Sequence, residues 1–132
     1  YPDIRIVQRP SASGQRARAM AVTEDMLQAH PSLAGIFAIN DDTALGALSV
    51  LEAAGRSDVV IVGFDATEEA RAAVARGSVL KADIAQHPDE IGRTAMQIIA
   101  RHLAGESVEP VVAVPVSVVD ETIVAAAPGG GR

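Results

Sequence analysis

Apolar and polar positions follow two different periods along this chain. Short runs rich in Val and Ile, apolar continuously or at every second position, are typical of β-strands. These runs are residues 4–8, 34–39, 59–64, 80–85 and 111–119. The longer segments between them carry apolar residues three and four positions apart, which is the spacing of an amphipathic helix. The pattern therefore predicts strands and helices in alternation.

The clearest of the predicted helices covers residues 88–103. Pro88 suits the first turn of a helix, and the acidic Asp89 and Glu90 interact favourably with the positive end of the helix dipole. Gly105 then ends the helix. The apolar residues at helical spacing that we expect to face the core are Ile91, Ala95, Ile98 and Ile99.

The alternation also predicts the fold class. Parallel strands joined by helices make right-handed crossovers, which build a mostly parallel sheet with helices on both faces. The predicted fold is therefore α/β and doubly wound. The 132 residues, 48% of them hydrophobic, suffice for one compact domain with its own core. We expect this domain to span residues 1–124, and residues 125–132, which end in "APGGGR", to form a disordered tail.

Charge and cysteine content exclude several partners and chemistries. The formal net charge of -6 and the pI near 4.9 disfavour nucleic acid, because its binding needs clustered Lys and Arg. Lys81 is the only lysine, and no basic run favours attraction to a membrane surface. The absence of cysteine excludes disulfides and thiolate chemistry. The sequence opens at Tyr1 without a secretory signal, so we expect any such signal to lie outside it.

Three polar residues follow three successive predicted strands. Asn40 follows the strand at 34–39, Asp65 follows the strand at 59–64, and Gln86 follows the strand at 80–85. Ligands of open α/β sheets bind outside the carboxyl ends of the strands, so these side chains are candidates for a common site.

The chemistry of this trio suits a sugar or polyol. An ionised Asp65 accepts hydrogen bonds from neighbouring hydroxyls, while the amides of Asn40 and Gln86 both donate and accept. Each residue also has a structural interpretation. Asn40 would end its strand, Asp65 would cap the next helix, and Gln86 would be an exposed loop residue.

The acidic residues after Asn40 have interpretations of their own. Asp42 stands directly before a predicted helix and Asp41 lies within one residue of it, so capping and the helix dipole explain at least one of them. We expect a structural role for Asp42. A metal site, as in phosphoryl-transfer receivers, would need a further carboxylate such as Asp65. The Ser or Thr and the strand-end Lys of such a site are missing, so no metal or cofactor is expected.

Enzyme motifs are missing from the sequence. It contains no G-x-S-x-G elbow and no Walker or dinucleotide-binding glycine pattern. The histidines His30, His87 and His102 are too scattered for a zinc-protease motif. His87, beside Gln86, is the one that could reach the strand-end cleft, although a solvated loop position is the simpler explanation.

Three motifs carry a resemblance to a known family. The stretches "FAINDDTALGA", "IVGFDAT" and "ADIAQHPDEIG" occur in the order and spacing found in the C-terminal lobe of ribose-type sugar-binding proteins of ABC transporters. The resemblance runs from about Tyr1 to Asp120. It implies a periplasmic or cell-surface receptor, not an enzyme, in which Asn40, Asp65 and Gln86 contact the sugar. It also implies that the closed receptor docks on a membrane permease.

The chain departs from this family in two respects. The stretch "RPSASGQRARAM" lacks the aromatic residue that many relatives stack on the sugar ring, so the resemblance does not specify ribose. The family also has an N-terminal lobe and, before the strand at 4–8, a further strand and helix. In the family's sheet that strand lies between the strands at 4–8 and 34–39, so we expect this chain to dimerise or rearrange.

A second family shares the fold and two of the motifs. The effector-binding core of lactose-repressor type regulators resembles this chain in "NDD..ALG" and "GFD". Those regulators usually carry a longer link with a Pro-Asp pair before the third strand, where this chain has the direct "AAGRSDVVIVGFD". The resemblance to the transport receptors is therefore the closer one, and the regulator remains the alternative.

Overall fold

The computed structural model describes residues 1–126 and shows one sheet with its helices. The strands are β1 (Gly35–Phe37), β2 (Val60–Phe64), β3 (Leu80–Ala85) and β4 (Ser117–Asp120). The helices are α1 (Arg16–Ala29), α2 (Asp41–Ala53), α3 (Glu68–Ala75), α4 (Pro88–Leu103) and α5 (Glu121–Ala126). The strands lie in the order β1-β2-β3-β4, with β1, β2 and β3 parallel and β4 antiparallel to β3. The predicted fold class, α/β with a mostly parallel sheet, is confirmed.

One face of the sheet carries the core. Ile61 of β2 and Leu80 of β3 are fully buried against α2 and α3, and Leu51 of α2 is also fully buried there. Helix α1 packs on α2 at close range. A Cβ built on Gly46 of α2 would lie 2.5 Å from the carbonyl oxygen of Arg16 in α1, so this contact requires a residue without a side chain.

The opposite face of the sheet is apolar and exposed. Because successive side chains of a strand point to opposite faces, Phe37 and Val60 point away from the core, and they are 66% and 43% exposed. The residue paired with Ile84 in β4, Val118, is 55% exposed. We call Phe37, Val60 and Val118 the open face.

Helix α4 has the predicted bounds but not the predicted packing. None of its residues is buried, so the expectation that its apolar side chains face the core is wrong. Ile91 is 41% exposed and Ile99 is 50% exposed. Its amphipathic pattern determines that it is a helix, but packing also requires an apolar surface opposite it, and no residue of α4 belongs to the core of residues 1–126.

Two predicted strands differ from the observed ones. Residues 4–8 form no strand, and Ile4 and Ile6 are 72% and 61% exposed. A strand forms only when a neighbour satisfies its backbone groups, and the sheet ends at β1 without pairing with this segment. The predicted strand at 111–119 pairs from Ser117 onward. Pro115 has no N–H to donate to a ladder, which explains the late start.

The C-terminal boundary also differs from the expectation. Residues 125 and 126, assigned to the tail, belong to α5, and residues 127–132 lie outside the described part of the chain. Within residues 1–126, no helix combines the length and the apolar content that crossing a bilayer requires.

Candidate functional site at the carboxyl ends of the strands

The three strand-end residues lie along one edge of the sheet. Because β1, β2 and β3 are parallel, Asn40, Asp65 and Gln86 leave the sheet in the same direction. The Gln86 amide donates from Nε2 to Oδ1 of Asp65 at 2.7 Å. Asn40 and Asp65 line a common cavity of about 330 Å³. The structure therefore brings the predicted trio together, although Gln86 reaches the site through Asp65 and does not line the cavity.

Asn40 has a structural role in addition to its place at the edge. It is the N-cap of α2: its Oδ1 accepts from the backbone N–H of Thr43 at 3.0 Å. Its Nδ2 donates to the carbonyl of Gly14 at 3.2 Å, which ties α2 to the turn before α1. The capping box explains why a short polar residue stands here whether or not a ligand binds.

Asp65 is exposed and sits on an unusual backbone. Its φ is 117° and that of Ala66 is 54°, values that side-chain-bearing residues seldom adopt. Asp65 does not cap α3, contrary to the structural interpretation from sequence, because Thr67 is the N-cap and accepts from Ala70 N–H. Unusual backbone conformations cluster at ligand sites, where the surrounding structure holds them.

The surrounding structure holds the loop of residues 65–67 by hydrogen bonds from several elements. The N–H of Asp65 donates to the carbonyl of Ile84 at 2.9 Å. The N–H of Ala66 donates to Oδ1 of Asp83 at 3.2 Å, and the N–H of Thr67 donates to Oδ2 of Asp41 at 2.6 Å. The loop that positions Asp65 is thus anchored on two carboxyl groups.

These two carboxyl groups are the site residues that sequence analysis missed. Asp83 is 0% exposed and Asp41 is 3% exposed, and one oxygen of each has no hydrogen-bond partner among the described residues. Burial, with a contribution from the neighbouring Asp41, raises the pKa of Asp83 to about 7. A carboxylate inside the otherwise apolar "LKADIA" strand was the signal that pointed to Asp83.

Asp42 differs from Asp41 in its exposure and in its partners. It lies in the first turn of α2, not before it, and is exposed. Arg16 bridges it to α3: the guanidinium lies 3.1 Å from Oδ1 of Asp42 and 2.8 Å from Oε2 of Glu69. The hydrogen bond that Arg16 donates to Glu69 lowers the pKa of the Glu69 carboxyl group. The structural role expected for Asp42 is confirmed, although the cap itself is Asn40.

His87 lies apart from the strand-end cavity. It is the N-cap residue of α4, and its Nε2 is 2.9 Å from Oγ of Ser117.

No group of three or more potential metal ligands lies together within residues 1–126. Lys81 lies inside β3 and is exposed, as the sequence indicated. The strand-end cavity is lined by polar groups that can form hydrogen bonds, among them Asn40, Asp65 and Thr67.

This fold and this edge define the class of protein: an α/β solute-binding domain with its polar groups at the strand ends. Comparison with known families gives the same result. The chain matches the periplasmic binding protein domain family over residues 1–107 and belongs to that family.

Relatives and solved structures make the likeness more specific. The chain is 44% identical over 98 residues to the ribose import binding protein of Escherichia coli K12, covering 74% of this chain and 33% of that protein. It matches a solute-binding protein of Mycobacterium smegmatis solved with glycerol at 41% identity and a TM-score of 0.80. It matches another from Actinobacillus succinogenes solved with D-allose at 32% identity and a TM-score of 0.80.

The extent of these matches matters for the function. The two solved structures each cover 95% of this chain, but the chain covers 43% and 44% of them. It spans about a third of the length of the ribose import binding proteins that it matches. Members of the family are solute-binding proteins and not enzymes, as the sequence predicted.

Proposed function

We propose that this chain is one lobe, residues 1–124, of a sugar-binding or polyol-binding receptor of an ABC importer, with Asn40, Asp65 and Gln86 as ligand-binding residues. The observation that carries the proposal is the 2.7 Å contact between the exposed side chains of Asp65 and Gln86. An exposed hydrogen bond of this kind has little value for stability, but it orients both groups toward a solute.

The chemistry of the contact favours vicinal hydroxyls. Oδ1 of Asp65 accepts from Gln86, so its second oxygen is available to accept from a hydroxyl. The amide of Gln86 retains a carbonyl oxygen as acceptor and one further N–H as donor. A polyol presents neighbouring groups that both donate and accept, so it satisfies this pair without adding charge.

The comparisons support a receptor over a regulator. The relative from Escherichia coli is named for ribose import, and the two solved structures contain D-allose and glycerol. These three compounds share adjacent hydroxyl groups. A lactose-repressor type regulator remains the alternative, and the segment preceding residue 1 distinguishes the two: a DNA-binding helix-turn-helix supports the regulator, whereas an export signal supports the receptor.

Binding to the isolated chain is expected to be weak. One edge of a sheet buries much less of a ligand than a closed pocket does, so we expect a Kd of roughly millimolar or weaker. Amide chemical shifts of the ¹⁵N-labelled chain, titrated with D-ribose, D-allose and glycerol, measure such affinities. Shifts confined to the neighbourhoods of Asn40, Asp65 and Gln86 would support the proposal.

Substitutions separate binding from structure at each residue. Asp65→Ala should abolish the sugar-induced shifts while the chain stays folded, because the side chain of Asp65 is exposed and caps no helix. Asn40→Ser keeps a capping oxygen but removes the amide together with its bond to the Gly14 carbonyl, so it separates the binding role from the cap. Asp25→Asn, an exposed change in α1 outside the cavity lining, is the control. Shifts that persist in Asp65→Ala would overturn the proposed site.

The partners of the chain follow from the same family. We propose that the complete receptor is periplasmic and that its closed form docks on an ABC permease. For the isolated chain we propose self-association through the open face, because a parallel sheet is normally covered on both faces. Phe37 at 66% exposure is the largest apolar side chain on that face.

Sedimentation velocity over a concentration series tests this association. The expected result is a dimer that Phe37→Lys converts to a monomer. Ile123→Lys changes an exposed apolar residue of α5, away from the open face, and should leave the dimer intact. A well-folded monomer at every concentration would refute self-association without affecting the proposed sugar site.

A further inference from the structure

The carboxyl groups of Asp41 and Asp83 meet in the interior beside Gly63. A Cβ built on Gly63 would lie 2.5 Å from Oδ2 of Asp83 and 3.2 Å from Oδ1 of Asp41. These are the same two oxygens that have no partner among the described residues. Gly63 is therefore the residue whose missing side chain leaves room for the pair.

The other oxygen of each carboxyl group is already used. Oδ1 of Asp83 accepts from the N–H groups of Ala66 and Ile84, and Oδ2 of Asp41 accepts from the N–H of Thr67. Each carboxyl group thus binds backbone on one side and faces the other carboxyl group on the other. Oδ2 of Asp83 and Oδ1 of Asp41 both lie beside Gly63 without another partner, and a hydrogen bond between them requires a proton on one of them because ionised carboxylates only accept.

Among residues 1–126, no cationic side chain is bonded to either carboxyl group. The other charged residues on the surrounding elements are exposed, or half-buried and bonded elsewhere: Arg16, Arg18, Glu24 and Asp25 of α1, Asp42 and Glu52 of α2, Asp65 after β2, Glu68, Glu69 and Arg71 of α3, Lys81 of β3, Asp120 of β4 and Glu121 of α5. Arg71 is bonded to the carbonyl of Ala66 and not to either carboxyl group. Two buried carboxylates without a cation repel each other strongly, so one of them retains a proton.

We propose that Asp41 and Asp83 share one proton and that this protonated pair holds the loop of residues 65–67, and with it Asp65, in the binding conformation. Asp41 and Asp83 are then positioning residues. They act on the ligand through the backbone N–H groups of Ala66 and Thr67. Loss of the proton places two charges side by side, and their repulsion loosens the loop.

The high pKa of Asp83, about 7, agrees with this arrangement. Its main cause is burial, and the contact with Asp41 adds to it. We place this proton between the two carboxyl groups because Oδ2 of Asp83 and Oδ1 of Asp41 lie together beside Gly63. The loop should accordingly be held firmly at mildly acid pH and loosened above neutrality.

The test follows the carboxyl carbons and the loop amides of the full chain by NMR between pH 4 and pH 9. Aspartate labelled with ¹³C should show one carboxyl group that titrates near neutrality. Amide protection of Ala66 and Thr67, corrected for intrinsic exchange, should fall at least about tenfold as that group ionises, since one pKa unit corresponds to a factor of ten. Carboxyl groups that all titrate below about pH 5 would overturn the proposal.

A substitution provides the matched comparison. In Asp83→Asn the amide can donate to Asp41 without a proton while its oxygen still accepts from Ala66 and Ile84, so the pH dependence of loop protection should disappear. Asp42→Asn, which changes the exposed neighbour, should retain it. If Asp83→Asn retains the pH dependence, the pair does not control the loop. If the variant does not fold, the ¹³C titration of the unsubstituted chain decides alone.

The inference rests on the proposed function only for the role of Asp65. The titration and the exchange measurement need no sugar. A chain that shows the shared proton but binds no polyol would refute the proposed function and leave the carboxyl pair intact. A chain that binds a polyol but shows no carboxyl group titrating near neutrality would refute the shared proton and leave the proposed function intact.

Discussion

The two faces of the sheet have similar sequences and very different surroundings. On the covered face Ile61 and Leu80 are fully buried against α2 and α3. On the open face Phe37 is 66% exposed and Val118 is 55% exposed. The same sheet supplies both faces, because side chains alternate along each strand, as Val60 and Ile61 do on β2. The apolar character of a residue therefore shows that burial would be favourable, but not whether this chain buries it.

The same contrast applies to the polar groups of the two faces. Asp83 points into the covered face, where burial raises its pKa. Asp120 pairs with Ala82 in the ladder and so points to the open face, where the hydroxyl of Thr122 lowers its pKa. Exclusion of water raises the pKa of one carboxyl group, while hydrogen-bond donors lower the pKa of the other.

The largest effect is expected from truncation in the core. Leu51→Ala should lower the free energy of unfolding by about 2–5 kcal/mol, because it leaves a cavity in a fully buried position. Phe37→Ala, a larger truncation on the open face, should change it by less than about 0.5 kcal/mol in the monomer. Urea unfolding followed by circular dichroism at low protein concentration measures both. Equal losses would mean that the open face is covered in solution.

The next effect concerns the pH dependence of stability and has opposite signs on the two faces. The folded pKa of Asp83 lies above its unfolded value, so between about pH 4 and pH 7 the folded chain binds the additional proton. Stability from this group is complete below that window and is lost as the pH rises through it, by on the order of a few kcal/mol. Asp83→Asn should remove this decline.

Asp120 behaves in the opposite way. Its folded pKa lies below its unfolded value, so its contribution is present at neutral pH and is lost as the pH falls through the folded pKa. Asp120→Asn should therefore lower stability at pH 7, and this loss should shrink as the pH falls. Urea midpoints measured from pH 3 to pH 8 check both residues. A decline between pH 4 and pH 7 that survives in Asp83→Asn would contradict the assignment.

The smallest effect concerns the helix caps. Thr67 caps α3, which packs on the covered face, so Thr67→Ala should cost about 1 kcal/mol. His87 begins α4 without a side-chain cap bond, so His87→Ala should cost less than about 0.5 kcal/mol. Thermal midpoints of the two variants give the comparison. A larger loss in His87→Ala would show that its contact with Ser117 secures α4.

Much of the fold could be predicted because it depends on local pattern. The strand at Leu80–Ala85 and the helix at Pro88–Leu103 appear with the predicted bounds. Residues 4–8 have an equally clear strand pattern but form no strand, since a strand also needs a neighbour. Pro115 shortens the last strand in a way that the sequence itself could have indicated.

In the candidate site, too, some features could be predicted from the sequence and others could not. Asn40, Asp65 and Gln86 could be placed at one edge from sequence because parallel strands bring their carboxyl ends together. The capping function of Asn40 depends on backbone geometry at a single turn. The meeting of Asp41 and Asp83 joins residues from α2 and β3, and no local pattern predicts it.

The sequence alone decided most of the elements, the fold class and the edge at which the polar groups collect, because periodicity and residue type act over a few neighbouring positions. The tertiary structure decided which face of the sheet is covered, that α4 stays unburied and that the carboxyl groups of Asp41 and Asp83 meet in the interior. Those outcomes depend on distances between residues far apart in the chain. The pKa of Asp83 is raised because the fold buries it away from water and places it beside Asp41.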